Sequence, residues 1–253
     1  MKNMPWIRNA LVVAAFAATA PAALAATISV NYAGSANFGS GAVGFYNAQV
    51  APNPNSSTSL VAVGIGGISF TTSNLSYDFS ATGRFNSWCV DIYHWLNGGT
   101  VNYTIGTGGD LAAALSVLRT NSATRVAQLG YLANEVYGSV DTKIESSAFQ
   151  LAVWAIAYGT ADTNGRYQIN TSNAGFRVDS ATMNASYGVL ANSWLTNLGT
   201  AADTGNYKLT YLNDGTANNT QDQIVFIAVP EPGTLALLAA GIFGIGWSRK
   251  KIA

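Results

Sequence analysis

The hydrophobic period of the chain changes twice, and this change constrains the fold more than any other feature. Between residues 27 and 105 apolar and polar side chains alternate in short runs separated by Gly, Ser, Asn and Pro, which is typical of antiparallel strands. From Asp110 the period becomes helical, and at residues 206–213 and 223–229 it returns to that of strands. The sequence therefore predicts an α+β fold, an antiparallel β-sandwich or barrel with an inserted helical subdomain of about four helices.

Local signals place the ends of these helices. Asp110 is a candidate N-cap for the first helix, and Thr142 with Glu145 forms the pattern of a capping box before a very apolar third helix that Gly159 ends. The four helices are predicted at residues 111–118, 125–137, 143–158 and 180–198. Residues 43–46, 67–70 and 101–105 are among the predicted strands.

Composition excludes several classes of function. Charged residues make up 9% of the chain, and twelve basic residues balance twelve acidic ones, so the basic surface that nucleic-acid binding needs is missing. The chain has one cysteine and one histidine, which rules out an internal disulfide and leaves too few ligands for a Cys/His zinc site. We expect no cofactor, no metal and no nucleic-acid partner.

The N-terminus has the features of a secretory signal peptide. Lys2 and Arg8 precede an apolar run over residues 10–18, and Ala23 and Ala25 supply the small residues that signal peptidase requires. We predict cleavage after Ala25, which makes residues 1–25 the signal peptide and residues 26–228 the mature domain.

The C-terminus combines a short motif, an apolar stretch and a basic tail. The apolar stretch, residues 235–247, is shorter than the roughly 20 residues of a permanent transmembrane helix. The flanking residues are Pro230, Glu231 and Pro232 before it and Arg249, Lys250 and Lys251 after it. Residues 229–253 resemble the PEP-CTERM sorting signal. This resemblance implies export by a Gram-negative bacterium that makes exopolysaccharide, a C-terminal helix in the membrane before processing, and processing by an exosortase at the cell surface.

Within the mature domain, one helix and one strand carry candidate chemistry. Gln150 lies on a helix that is apolar on every side, so its amide needs hydrogen-bonding partners or a chemical change, and Trp154 at i+4 covers the same patch. Cys89 lies on a predicted strand, where alternation places it on one face with Ser87 and Asp91.

These residues resemble the thioester domain of bacterial surface adhesins. The matching positions are Trp88 and Cys89 for the aromatic-Cys step, and Gln150, Val153 and Trp154 for the helix motif. The resemblance implies a thioester cross-link between Cys89 and Gln150, formed with loss of ammonia and attacked by amine nucleophiles on an extracellular surface or exopolysaccharide. A thiolate is a good leaving group, so a buried thioester stores an electrophile.

Three arrangements of this pair remain open: an intact thioester, a neighbouring but unbonded pair, and no contact. The corresponding functions are covalent attachment of a surface protein to an extracellular partner, or a non-catalytic structural role in an exopolysaccharide or biofilm matrix. A cysteine hydrolase that uses His94 is disfavoured, because strand parity places Cys89 and Asp91 on the face opposite His94. We expect that the protein is not an enzyme.

Overall fold

The computed structural model describes residues 26–38, 41–53, 55–198, 205–215 and 220–229. The predicted signal peptide and the predicted C-terminal helix at residues 235–247 lie outside these residues. The strands are β1 (Thr27–Ser35), β2 (Asn37–Phe38), β3 (Gly41–Ala42), β4 (Tyr46–Ala51), β5 (Val61–Ile65), β6 (Ile68–Thr71), β7 (Arg84–Cys89), β8 (Thr100–Gly106), β9 (Arg177–Val178), β10 (Tyr207–Asn213) and β11 (Gln223–Ala228). The helices are α1 (Gly108–Ser116), α2 (Ser122–Val136), α3 (Lys143–Tyr158), α4 (Ser180–Asn184) and α5 (Ser186–Asn197).

A closed antiparallel barrel forms the centre of the described structure. Its strand order is β1-β6-β7-β11-β10-β8, and β8 pairs back onto β1, where Val101 lies opposite Val30. A three-stranded sheet, β5-β4-β9, and the small β2-β3 hairpin lie beside it. The predicted α+β class, with a barrel among its two alternatives, is confirmed. Closure also leaves no exposed barrel edge that could pair with another chain.

The helices are inserted between two neighbouring strands of the barrel. β8 ends at Gly106 and β10 begins at Tyr207, yet the two strands pair, with Tyr211 opposite Gly106. The predicted helical insertion is therefore confirmed. Its strand β9 pairs with β4, where Val178 lies opposite Val50, and this pairing ties the insertion to the small sheet.

Three local predictions differ from the structure. Residues 43–45 are not a strand, because Gly44 has φ +81° and breaks the run between β3 and β4. Asp110 is not the N-cap of α1: Thr107 is, and Asp110 is the third residue of a capping box. The fourth predicted helix is split at Ala185, whose ψ of 155° is extended. At this break Gly188 approaches α4 so closely that a Cβ would lie 2.1 Å from the Thr182 carbonyl oxygen.

Helix α3 begins as the sequence predicts, and buried contacts hold it against the barrel. The capping box of Thr142 and Glu145 is present, and side chains from Ser146 to Tyr158 are buried. Ser146 Oγ accepts a hydrogen bond from the Gly67 amide at 2.8 Å, and Ser147 Oγ donates to the Ile65 carbonyl at 2.9 Å. These bonds fix the position of α3 along its own axis relative to β5 and β6, so that its next turn faces the end of β7.

Candidate functional site

The Gln150 side chain pairs with the backbone of Cys89 at both ends of its amide. The Cys89 amide donates to Gln150 Oε1 at 3.1 Å, and Gln150 Nε2 donates to the Cys89 carbonyl at 2.8 Å. Gln150 is 1% exposed and Cys89 5% exposed, so water does not compete for these bonds. The structure thus brings the two predicted residues into direct contact at the junction of α3 and β7.

The thiol of Cys89 contacts two further glutamines. It donates to Gln221 Oε1 at 2.7 Å and accepts from Gln223 Nε2 at 3.4 Å, while Ser87 Oγ donates to Gln223 Oε1 at 3.1 Å. Burial, together with the negative charge of Asp91, raises the pKa of Cys89 to about 12, although the Gln223 contact opposes the shift. The free thiol is therefore protonated at neutral pH.

Three apolar residues from the predicted motif enclose the pair. Trp88 is fully buried and lies edge-on to Phe149, with ring centroids 5.1 Å apart. Val153 is fully buried on α3, and Trp154 is 2% exposed. The indole Nε1 atoms of Trp88 and Trp154 have no hydrogen-bond partner within the described residues. Cys89 and Gln150 thus lie among buried apolar side chains.

A cavity of about 270 Å³ connects Cys89 to the surface. Cys89, Gln221 and Trp154 contribute to its lining, as do the partly exposed Tyr32 and Trp95. A molecule entering this cavity would meet Cys89.

The structure corrects the predicted geometry of Asp91 and His94. β7 ends at Cys89, and beyond it the chain turns, so strand parity no longer applies. Asp91 Oδ2 and His94 Nδ1 are hydrogen-bonded to each other rather than on opposite faces. The predicted shared face of Cys89 and Asp91 is also wrong, because Asp91 and His94 line a second cavity that Cys89 does not line. The described hydrogen bond of the His94 side chain is to Asp91 and not to Cys89.

Sequence reasoning missed Gln221 and Gln223. The available signal was a polar residue, Gln223, at the start of the otherwise apolar strand β11, but only the barrel register shows that it lies opposite Cys89. Tyr103 was also missed; its hydroxyl donates to the Gln221 carbonyl at 2.9 Å.

Arg125 is a further buried polar residue that the sequence analysis placed only on a helix. Its guanidinium donates to the carbonyls of Ile156 at 2.6 Å and Gly159 at 2.9 Å, and so caps the C-terminus of α3. The same helix is thereby fixed at both ends, by the Thr142 capping box and by Arg125.

The described part of the chain contains neither a membrane-spanning helix nor a metal-binding cluster. Within residues 26–38, 41–53, 55–198, 205–215 and 220–229, every helix is too short or too polar to cross a bilayer. In those same ranges, no three His, Cys, Asp or Glu side chains form a group that could hold a metal ion.

Comparison with known families identifies the C-terminal motif. Residues 228–250 match the model of the PEP-CTERM protein-sorting motif, which includes Pro230, Glu231, Pro232, Arg249 and Lys250. The chain is an exported, surface-associated protein. The motif implies processing by an exosortase. Apart from residues 228 and 229, the matched segment lies outside the described residues.

No curated protein matches the sequence. Among solved structures, the N-terminal domain of the Streptococcus pyogenes pilus tip adhesin Cpa is similar at a TM-score of 0.40 and 12% identity, over 65% of this chain and 84% of that chain.

Proposed function

We propose that this exported protein attaches covalently to an extracellular partner through a thioester between Cys89 and Gln150 that reacts with amine nucleophiles. The observation that carries the proposal is the double hydrogen bond between the Gln150 amide and the Cys89 peptide. It holds the Gln150 amide against the backbone of the residue that bears the thiol, and that residue lines a cavity.

The pairing also supports the chemistry of bond formation. The Cys89 amide points at Gln150 Oε1, where negative charge develops when sulfur attacks the carbonyl carbon. In that step the Sγ–Cδ bond forms and the Cδ–Nε2 bond breaks. The thiol proton leaves with the nitrogen, so the products are a thioester and ammonia.

Attack by an external amine completes the sequence. The amine nitrogen bonds to Cδ of Gln150, the Cδ–Sγ bond breaks, and the amine proton passes to sulfur. The partner is then joined to Gln150 through a stable amide, and Cys89 is again a free thiol.

A second candidate is a structural matrix protein in which no thioester forms. The observation that favours it is that both ends of the Gln150 amide are hydrogen-bonded, and that burial keeps the thiol protonated. In that case the pair would only pin α3 to β7.

Reaction with methylamine separates the two candidates. The thioester predicts one methylamine adduct, located at Gln150 by peptide mass mapping, with simultaneous release of one titratable thiol. Cys89→Ala should abolish the adduct, whereas His94→Ala should retain it, because His94 does not contact Cys89. The absence of an adduct on wild-type protein, with Cys89 alkylated after denaturation, would contradict covalent attachment and leave the structural role.

A further inference from the structure

The cavity above Cys89 has no charged wall. Among the described residues that line it, none is Asp, Glu, Lys, Arg or His. Asp91 and His94, the nearest ionisable pair in the sequence, line the second cavity instead. No carboxylate or imidazole in the described lining would take up the proton of an ammonium ion. An amine attacks through its lone pair, so it must arrive in the neutral form.

This requirement favours amines of low basicity. A lysine side chain has a pKa near 10.4, so only about one in 2,500 is neutral at pH 7. In an amino sugar the neighbouring hydroxyl groups withdraw electrons from the nitrogen, so its pKa lies below that of lysine. A larger fraction of an amino sugar is therefore ready to enter an uncharged cavity and attack.

The mouth of the cavity is aromatic. Tyr32 is 40% exposed and Trp95 45% exposed, and both contribute to the lining. The pKa of the Tyr32 hydroxyl is raised by partial burial and by the charge of Cys89. Exposed aromatic rings offer flat apolar faces, and the C–H face of a sugar ring packs against such faces.

A further aromatic ring, Trp154, lines the same cavity and is 2% exposed, so it extends the aromatic lining inward from Tyr32 and Trp95. The volume of about 270 Å³ lies just below the usual range for drug-sized ligands, about 300–1,000 Å³, and suits one ring rather than a chain segment.

We infer that the cavity binds an amino-sugar residue of a glycan and presents its amine to Cys89–Gln150. This inference rests on the proposed function, since it names the class of nucleophile for the same site. Tyr32 and Trp95 pack against the sugar ring, and the neutral amine approaches the thioester from the side of Cys89, which lines the cavity.

Two measurements on the purified protein test the inference. In the first, intact mass measures the rates at which the protein forms adducts at pH 7 with a glucosamine oligomer and with a lysine peptide. The same two amines react with a small acyl thioester in the same buffer, which gives the intrinsic ratio of the sugar rate to the lysine rate. We expect wild-type protein to exceed that ratio by about tenfold. Trp95→Ala should return the ratio to the intrinsic value, whereas Trp95→Phe should keep the preference for the sugar. Leu75→Ala is the remote control and should also keep it, because Leu75 is 56% exposed and does not line the cavity.

The second measurement does not need a thioester. The fully N-acetylated oligomer has the same rings without a free amine, and its binding is titrated by tryptophan fluorescence. We expect binding to wild-type protein and to Leu75→Ala, and binding about tenfold weaker to Trp95→Ala.

The outcomes distinguish the inference from the function on which it rests. Adducts with methylamine but no sugar preference above the intrinsic ratio would overturn the amino-sugar assignment and keep covalent attachment. If no amine reacts, covalent attachment fails, and the fluorescence titration still decides whether the cavity binds sugar. Equal binding by wild type and Trp95→Ala, or none, would overturn the assignment.

Discussion

Replacing Gly67 by alanine tests the packing that holds Trp88 next to Cys89. A Cβ at this position would lie 2.8 Å from Cζ2 of Trp88 and 2.9 Å from the Cβ of Ala36. Trp88 has no room to move away, because it is fully buried and its ring lies 5.1 Å from that of Phe149 and 5.0 Å from that of Tyr137. We expect Gly67→Ala to lower the free energy of unfolding by about 1–3 kcal/mol, the usual cost of overpacking.

Urea denaturation followed by circular dichroism measures this effect. With a slope near 2–3 kcal/mol/M, the midpoint should fall by about 0.3–1.5 M. Gly98→Ala is the matched control, because a Cβ at Gly98 meets nothing within 4 Å, and its effect should stay within about 0.5 kcal/mol. Equal midpoints for the two variants would refute the close packing around Trp88.

Three further predictions concern the core, the pH dependence and the sorting tail. Trp154→Ala should destabilise by about 3–5 kcal/mol in the same urea assay, because it removes a buried indole; a shift within about 0.5 kcal/mol would show that α3 is not buried on that face. Burial raises the pKa of Asp222 to about 6, so between about pH 4 and 6 the folded state binds more protons at this group and its contribution to stability falls as pH rises. Asp222→Asn should flatten that part of the pH–stability profile, and an unchanged profile would contradict the assignment. Neutralising Arg249, Lys250 and Lys251 together should impair retention for exosortase processing, measured by fractionation in the native host; unchanged localisation would contradict the role of the tail.

Local signals in the sequence predicted the elements that depend on few residues. The capping box of Thr142 and Glu145 and the glycine that ends α3 act within one turn, so the bounds of that helix were predictable. The split at Ala185 was not, because it depends on contact between two helices at Gly188. The Asp91–His94 pair was missed for a similar reason: alternation holds only within a strand, and the sequence does not mark the end of β7 at Cys89.

The residues of the candidate site likewise fall into two groups, those that local sequence signals indicate and those that depend on the barrel register. A buried amide on an apolar helix and a lone cysteine on a strand pointed to Gln150 and Cys89 before their contact was known. Gln221 and Gln223 could not be found in this way, because they reach the thiol only through the pairing of β11 with β7 around the closed barrel. The register of the barrel strands decides which residues surround the thiol. That register depends on contacts between residues far apart in the sequence.

The intact mass of the purified, unreacted mature protein shows whether the thioester forms. We expect that wild-type protein is lighter than its calculated mass by one ammonia, and that Cys89→Ala and Gln150→Ala each have their full calculated mass. Peptide mapping should join Cys89 to Gln150 and not to Gln221. A wild-type mass equal to the calculated value, with Cys89 open to alkylation after denaturation, would contradict the thioester.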